Sequence, residues 1–269
     1  CTMKFLLGID LEALRQECDE SGRSMIPNGG IMVFTYEDGE YQIQQIPVEP
    51  KNFEYKMEDK TVHLYYVRHG ETLFNHYNRM QGRSDSPLTA QGIEQVKLSG
   101  KALHNIDFAF AYCSSAERAR DTAAYILESH DISAIPNRDL REIDFGTYEA
   151  RVREAIMDEL YERFNPRVDF SDVGGESEEQ VIERIKRILT LAVARAKDKE
   201  NVLLVAHGSL YMTMIKYLFN IYRADLTEQM KAKGKHIMPN GGIAKFTFSQ
   251  GTYQLDQLMV TPEEFVEVQ

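Results

Sequence analysis

Val67-Arg68-His69-Gly70-Glu71-Thr72 and, 138 residues further on, Val205-Ala206-His207-Gly208 carry residue types suited to handling a phosphoryl group. A neutral imidazole can attack phosphorus, and arginine grips phosphate oxygens in pairs. Between them lies Ser114-Ser115-Ala116-Glu117-Arg118-Ala119-Arg120-Asp121-Thr122-Ala123, which offers two further arginines. Each His-Gly pair closes a short apolar run, so both histidines are expected at strand ends. In an open α/β sheet that is where ligands bind. Arg68 would put a permanent charge at the same strand tip as His69, a placement that an anion or a carboxylate would justify. Gly70 would let a ligand approach the backbone closely. Asn75, one helical turn beyond Thr72, can donate an amide hydrogen to a phosphate oxygen.

The elements that must position these residues follow from periodicity and punctuation. Thr61–Val67, Phe108–Cys113 and Asn201–Ala206 are β-branched or apolar runs and read as strands. Helices are expected from Thr89 to about Leu103, over Ala116–Glu128, over Arg151–Phe164 and over Leu210–Phe219. Ser177 and Gln180 form a capping box that opens a helix running through Ala196. Ile243–Phe248 and Thr252–Val260 flank Gln250-Gly251 and read as a hairpin. Alternating strands and helices imply an α/β three-layer sandwich with a mostly parallel central sheet. The polar and aromatic stretch from about Ala150 to Glu176 is expected to form a lid.

Composition narrows the function. The chain has 269 residues, 43% hydrophobic and 27% charged, with a net charge of -11. That charge argues against nucleic acid or acidic membranes as partners. The site's cations must then form a local island that focuses an anionic substrate. No apolar run approaches about 18 residues, and no signal-peptide pattern is visible. Cys1, Cys18 and Cys113 have neither disulfide-framework nor metal-ligand spacing, which fits a reducing cytoplasm. Cys113 is expected to be inert core.

Residues 1–57 repeat residues 213–269 without a gap, with 19 identities in 57 pairs. Unrelated sequences of average composition match at about one position in fifteen. Ile26-Pro27-Asn28-Gly29-Gly30-Ile31 answers Met238-Pro239-Asn240-Gly241-Gly242-Ile243. Two units are expected. Residues 1–58 form a partial helix-hairpin repeat of the module's C-terminal end, read as the remnant of an upstream tandem module. Residues 61–269 form a complete module. The repeated hairpin needs cover for its apolar face and edge, either from the complete module or from a second chain in a homodimer.

The motifs together resemble the histidine phosphatase superfamily, also called the phosphoglycerate mutase-like family. Arg68 to Thr72 followed by Asn75 matches its first motif, with Gln81-Gly82 and Asp85-Ser86-Pro87-Leu88-Thr89 downstream. Ser114 to Ala123 matches the second. Leu140-Arg141-Glu142-Ile143-Asp144-Phe145-Gly146 with Glu149, then Gly174-Gly175-Glu176-Ser177, then Ala206-His207-Gly208 complete the order. The resemblance covers about residues 61–269.

It implies that His69 is the nucleophile of a covalent phosphohistidine. Arg68, Arg118 and His207 would hold the equatorial oxygens, with no metal and no cofactor. Glu142 would act as general acid and base, with Asp144 its competitor and Arg120 the competitor of Arg118. Asn75, Gly70, Thr72, Gln81, Gly82 and Gly208 would complete the substrate-binding surface. Arg83, Arg141 and His76 are further candidates for the pocket. His63 is expected in a strand, and His104 and His130 at the surface. The function implied is a metal-independent phosphomonoester hydrolase acting on a small phosphorylated metabolite. The alternatives are phosphoglycerate mutase-type transfer and a catalytically silent phospho-ligand binding module. Ala150 after Glu149, and Tyr211 in place of the mutases' usual run, weigh against the mutase.

Overall fold

The computed structural model describes residues 31–37, 40–48 and 60–267. The chain divides into two compact units, residues 1–56 and 57–269. In the first, β1 (Ile31–Glu37) and β2 (Glu40–Val48) form an antiparallel hairpin. The helical part expected of this segment lies outside the described residues.

In the second unit the order is β3 (Val62–Arg68), α1 (Leu73–His76), α2 (Ala90–Leu103), β4 (Phe108–Ser114), α3 (Glu117–Ile126) and β5 (Ala134–Asn137). Then come α4 (Met157–Phe164), α5 (Glu178–Arg195), β6 (Asn201–Ala206), α6 (Gly208–Phe219) and α7 (Arg223–Ala232). β7 (Ile243–Ser249), β8 (Thr252–Val260) and α8 (Pro262–Glu267) close the chain. The sheet order is β5-β4-β6-β3-β7-β8. The first four of these strands are parallel, β7 pairs antiparallel with β3, and β8 pairs antiparallel with β7.

Side-chain alternation builds the three layers. Leu64, Tyr66, Val202 and Leu204 face one core with Ile185, Ile188 and Leu189 of α5 and Leu210 of α6. Their sequence neighbours Tyr65, Val67, Leu203 and Val205 face the other, with Leu103, Ala119, Ala123, Ile126 and Phe265. Each fully buried Val or Leu contributes roughly 1.5–3 kcal/mol, and because both faces of the central strands are covered, these strands read as continuous apolar runs.

The expected strands and helices are present within a residue or two, with three differences. The first turn of the Arg151–Phe164 segment, Arg153–Ile156, is 3-10 and the α-helix starts at Met157. β5 had no strand signal: it is a four-residue edge strand containing Pro136, which only an edge tolerates. α7 buries only Leu226, too little to leave a periodic apolar stripe.

The two hairpins share one register. In β1–β2 the pairs are Ile31 with Val48, Val33 with Gln45, Phe34 with Ile43 and Tyr36 with Tyr41. In β7–β8 the residues 212 positions later pair identically: Ile243 with Val260, Lys245 with Gln257, Phe246 with Leu255 and Phe248 with Tyr253. Both pairings shift at the same places.

Candidate active site

β3 and β6 are parallel neighbours, and Arg68 pairs with Ala206. The next residue of each strand is a histidine, and the His69 amide donates to the Ala206 carbonyl at 3.0 Å. The two imidazoles therefore lie side by side at the C-terminal edge of the sheet, with ring centroids 5.2 Å apart. They are 4% and 0% exposed.

The hydrogen bonds assign the ring protons. His69 Nδ1 lies 2.8 Å from the Gly70 carbonyl. A carbonyl only accepts, so the proton sits on Nδ1 and Nε2 carries the lone pair. Burial, and then the charges of Arg118 and Arg68, hold the His69 pKa well below its ordinary value. The ring is neutral at pH 7. Ser114 Oγ accepts the Ala116 amide at 3.3 Å and lies 2.7 Å from His207 Nε2. A Ser114 hydroxyl hydrogen donated to Nε2 would put the His207 proton on Nδ1. That nitrogen is buried without a partner among the described residues. Burial, then Arg118 and His69, lower the His207 pKa as well.

Arg118 projects inward from α3 and is fully buried, while Arg120 is exposed. The spacing of two separates them onto different helix faces, as expected. The Arg118 terminal nitrogens are held by the Gly82 carbonyl at 3.0 Å, the Ser84 carbonyl at 3.1 Å and Asp85 at 2.8 Å. The loop that supplies them is itself clamped. Glu149 accepts the amides of Gly82, Arg83, Ser84 and Phe145 at 2.8–3.2 Å. Arg68 donates to the Met238 carbonyl. The Nε atoms of Arg68 and Arg118 are buried and unpartnered among the described residues. Burial and nearby Arg153 bring the Arg68 pKa down to about 10.

Glu142 is buried and lines a cavity together with Arg68 and Gly208, the immediate sequence neighbours of the two histidines. Its Oε1 accepts the amides of Ile143 and Leu210, and Oε2 that of Ser209, each at 2.9 Å. It thus caps α6, which has no side-chain cap from its own N-cap residue. One Oε2 lone pair stays open. Asp144, the competing carboxylate, pairs with Arg83 at 3.5 Å, accepts the Gly146 amide at 3.0 Å and does not line the cavity. The segment carrying Glu142 is fixed from behind. Arg184 donates to the carbonyls of Asp139 and Arg141 and pairs with Glu176 at 3.0 Å. That pairing gives the Gly174-Gly175-Glu176-Ser177 motif its physical role.

Several expectations need correction. Gly70 serves packing, not ligand approach: a Cβ there would meet the Gly92 carbonyl of α2 at 2.6 Å. Thr72 is fully buried behind the cavity. Its hydroxyl accepts the Asn75 backbone amide at 3.2 Å, capping α1, and donates to Gln81 Oε1 at 2.7 Å, so it orients the Gln81 side chain. Gln81 does line the cavity. At Gly82 a Cβ would collide with Glu149 Oε1 at 2.4 Å, so this residue serves the clamp. Gly208 lines the cavity and leaves room for Arg68, whose Nε would lie 3.3 Å from a Cβ. Asn75 Oδ1 accepts from Thr72 and Asn240, which turns its amide hydrogens elsewhere. Arg83 is spent on Asp144 and Glu176. Neither Arg141 nor the exposed His76 lines the cavity. His130 is half-buried against Phe108 and not a free surface group. His63 is in β3, and Cys113 is a buried free thiol.

Sequence reasoning missed Arg153, Arg223, Ser114 as a partner of His207, and Asn240. Asn240 Nδ2 donates to the His69 carbonyl at 3.1 Å. Its signal was available: Pro239-Asn240-Gly241-Gly242-Ile243 is the longest identical run of the internal repeat.

The sheet order, with paired strand-end histidines set among buried arginines, defines a protein of the phosphoglycerate mutase-like class. Residues 64–261 match the model of the histidine phosphatase superfamily (branch 1), and the chain belongs to that superfamily. It is 29% identical over 162 residues to the adenosylcobalamin/alpha-ribazole phosphatase of Escherichia coli K12, covering 59% of this chain and 79% of the relative. It is 35% identical over 149 residues to a probable phosphoglycerate mutase GpmB of Klebsiella pneumoniae, covering 54% and 69%. Among solved structures, a phosphoglycerate mutase from Bacillus anthracis aligns with a TM-score of 0.65 at 26% identity, over 79% of this chain and 98% of that one. Bacillus stearothermophilus YhfR aligns at 0.62 and 28%, over 73% and 96%. Among the described residues no helix is long and apolar enough to cross a membrane.

Proposed function

We propose that the protein is a phosphomonoester hydrolase that works through a covalent phosphohistidine on His69 without a metal. One observation carries this reading. His69 presents a bare Nε2 lone pair among three buried nitrogens that are unpartnered among the described residues: Arg68 Nε, Arg118 Nε and His207 Nδ1. Buried donors without acceptors are costly, and a phosphoryl group supplies the acceptors they lack.

In the first step Nε2 bonds to phosphorus as the bond to the ester oxygen breaks. Glu142, protonated at the open Oε2 lone pair, gives that proton to the departing alkoxide. In the second, Glu142 takes a proton from water as its oxygen attacks, and the P–N bond breaks. The arginines and His207 neutralise charge spreading over the equatorial oxygens in both steps. The substrate is a small phosphorylated metabolite. The buried free thiol of Cys113 is in keeping with a cytoplasmic setting.

Mutase-type transfer would use the same residues, and the names of the Klebsiella and Bacillus anthracis relatives favour it. Incubation with 3-phosphoglycerate separates the two. Hydrolysis releases inorganic phosphate, whereas transfer yields 2-phosphoglycerate with none released. Turnover of p-nitrophenyl phosphate, inhibition by vanadate and acid-labile, base-stable phosphate on His69 are expected. Binding of vanadate with no turnover and no phosphohistidine would leave a silent binding module instead.

A further inference from the structure

Arg153 and Arg223 are two half-buried guanidiniums that the proposed chemistry does not use. Arg153 opens the 3-10 turn Arg153–Ile156, and its Nε is buried with no partner among the described residues. Arg223 opens α7, where a cation opposes the helix dipole and Tyr222 provides no side-chain cap. Burial lowers both pKa values, that of Arg223 to about 10. Neither forms an ion pair among the described residues. Glu142 is the carboxylate whose charge reaches both, but its oxygens are bound to backbone amides.

Both arginines line the cavity that also takes in Arg68, Glu142 and Gly208, the sequence neighbour of His207, and that has a volume of about 680 Å³. Its apolar wall includes Met80, Phe145, Met157, Leu160 and Phe164. The Arg223 guanidinium lies 4.9 Å from the Phe164 ring centroid, which keeps its plane against that wall. Pockets of some 300–1,000 Å³ enclose drug-sized ligands, so this one exceeds what a three-carbon acid fills.

A phosphoryl group has three equatorial oxygens. Arg68, Arg118 and His207 already supply donors for them. Two more guanidiniums are in excess, in a chain whose overall field repels anions. We propose that Arg153 and Arg223 bind a second anionic group of the substrate, a carboxylate or a second phosphate, carried on a framework with an apolar face. The substrate class is then a phosphomonoester that is anionic at both ends and apolar between them. This rests on the phosphatase reading for the phosphoryl end alone.

The test is calorimetric binding of three non-hydrolysable probes: benzylphosphonate, 4-carboxybenzylphosphonate and p-xylylene bisphosphonate. The wild type is expected to bind one of the doubly anionic probes about tenfold or more tightly than benzylphosphonate. The preferred probe tells carboxylate from phosphate. Arg153→Gln and Arg223→Gln should each weaken that probe about fivefold more than benzylphosphonate, whereas Arg223→Lys should keep most of the advantage. No advantage in the wild type overturns the proposal, whatever the variants do. Equal loss of all probes in the variants overturns it too. Turnover of phenyl phosphate is scored separately: its absence would sink the hydrolase reading while the binding preference still decides this one.

Discussion

Ser114 Oγ lies 2.7 Å from His207 Nε2, and the direction of this hydrogen bond sets which His207 ring nitrogen carries the proton. Ser114→Ala removes the bias between tautomers. The expected result is a fall in kcat of about tenfold, at a stability cost of about 1 kcal/mol. Weakened vanadate affinity with a folded protein would tie the loss to the site. An unchanged kcat would show that His207 needs no such partner.

His69→Ala should abolish turnover, by on the order of ten-thousandfold or more, because the covalent route disappears. The imidazole is 4% exposed, so the truncation also leaves a small cavity. Circular dichroism and 32P labelling, read together, separate lost chemistry from lost fold. Retention of a tenth of the rate by a folded variant would remove His69 from the nucleophile's role.

Glu142→Gln has two expected effects. Alkyl phosphates should slow more than activated aryl phosphates, since a proton donor matters most for a basic leaving oxygen. The cap of α6 also weakens, because an amide NH2 turned toward the Ser209 or Leu210 amide is a donor facing a donor. That costs about 1–3 kcal/mol, readable as a lower urea midpoint. An unchanged alkyl-to-aryl ratio would move the acid elsewhere, while the stability loss would remain.

Stability should fall as pH drops below about 6.5, the ordinary histidine pKa. His69 and His207 have depressed pKa values in the fold, so the unfolded chain takes up protons first. More protons bound when unfolded means stability that rises with pH across this window. Urea midpoints at pH 7.5 and 5.5 measure the slope. His69→Gln with His207→Gln should flatten it, and an unflattened slope would assign it to other groups.

Ala150 sits at φ +61°, in the left-handed region. Ala150→Gly relieves about 1 kcal/mol of strain against a smaller gain in unfolded-chain entropy. Thermal unfolding should shift upward by a degree or two. A downward shift would mean that the entropy term wins.

Much of this was legible in the chain. β6 has the bounds its apolar run suggests, Asn201–Ala206, and the Ser177 capping box is formed by both of its bonds. The two histidines were placeable because strand ends and glycines are local signals. Arg153 was not, because a left-handed Ala150 precedes it and redirects a segment whose pattern reads as continuous helix. Arg223 opens a helix with almost no buried face. Gly70 was misread because the direction a missing Cβ faces is set by α2, a tertiary neighbour. The capping of α6 by Glu142 joins residues 67 apart, a pairing no short window contains.

The bond from the His69 amide to the Ala206 carbonyl ties the two histidine-bearing strands together in the middle of the sheet. The reacting floor therefore belongs to the part of the module that opens last. Backbone amides at Val67, His69 and Val205 can trade their hydrogens for deuterium only through the most costly opening the unit undergoes. Residues 152–173, short helical turns on the outside, open more cheaply. Heat should loosen the grip on substrate before it disturbs the histidine pair, so that KM rises over a temperature range in which kcat still climbs.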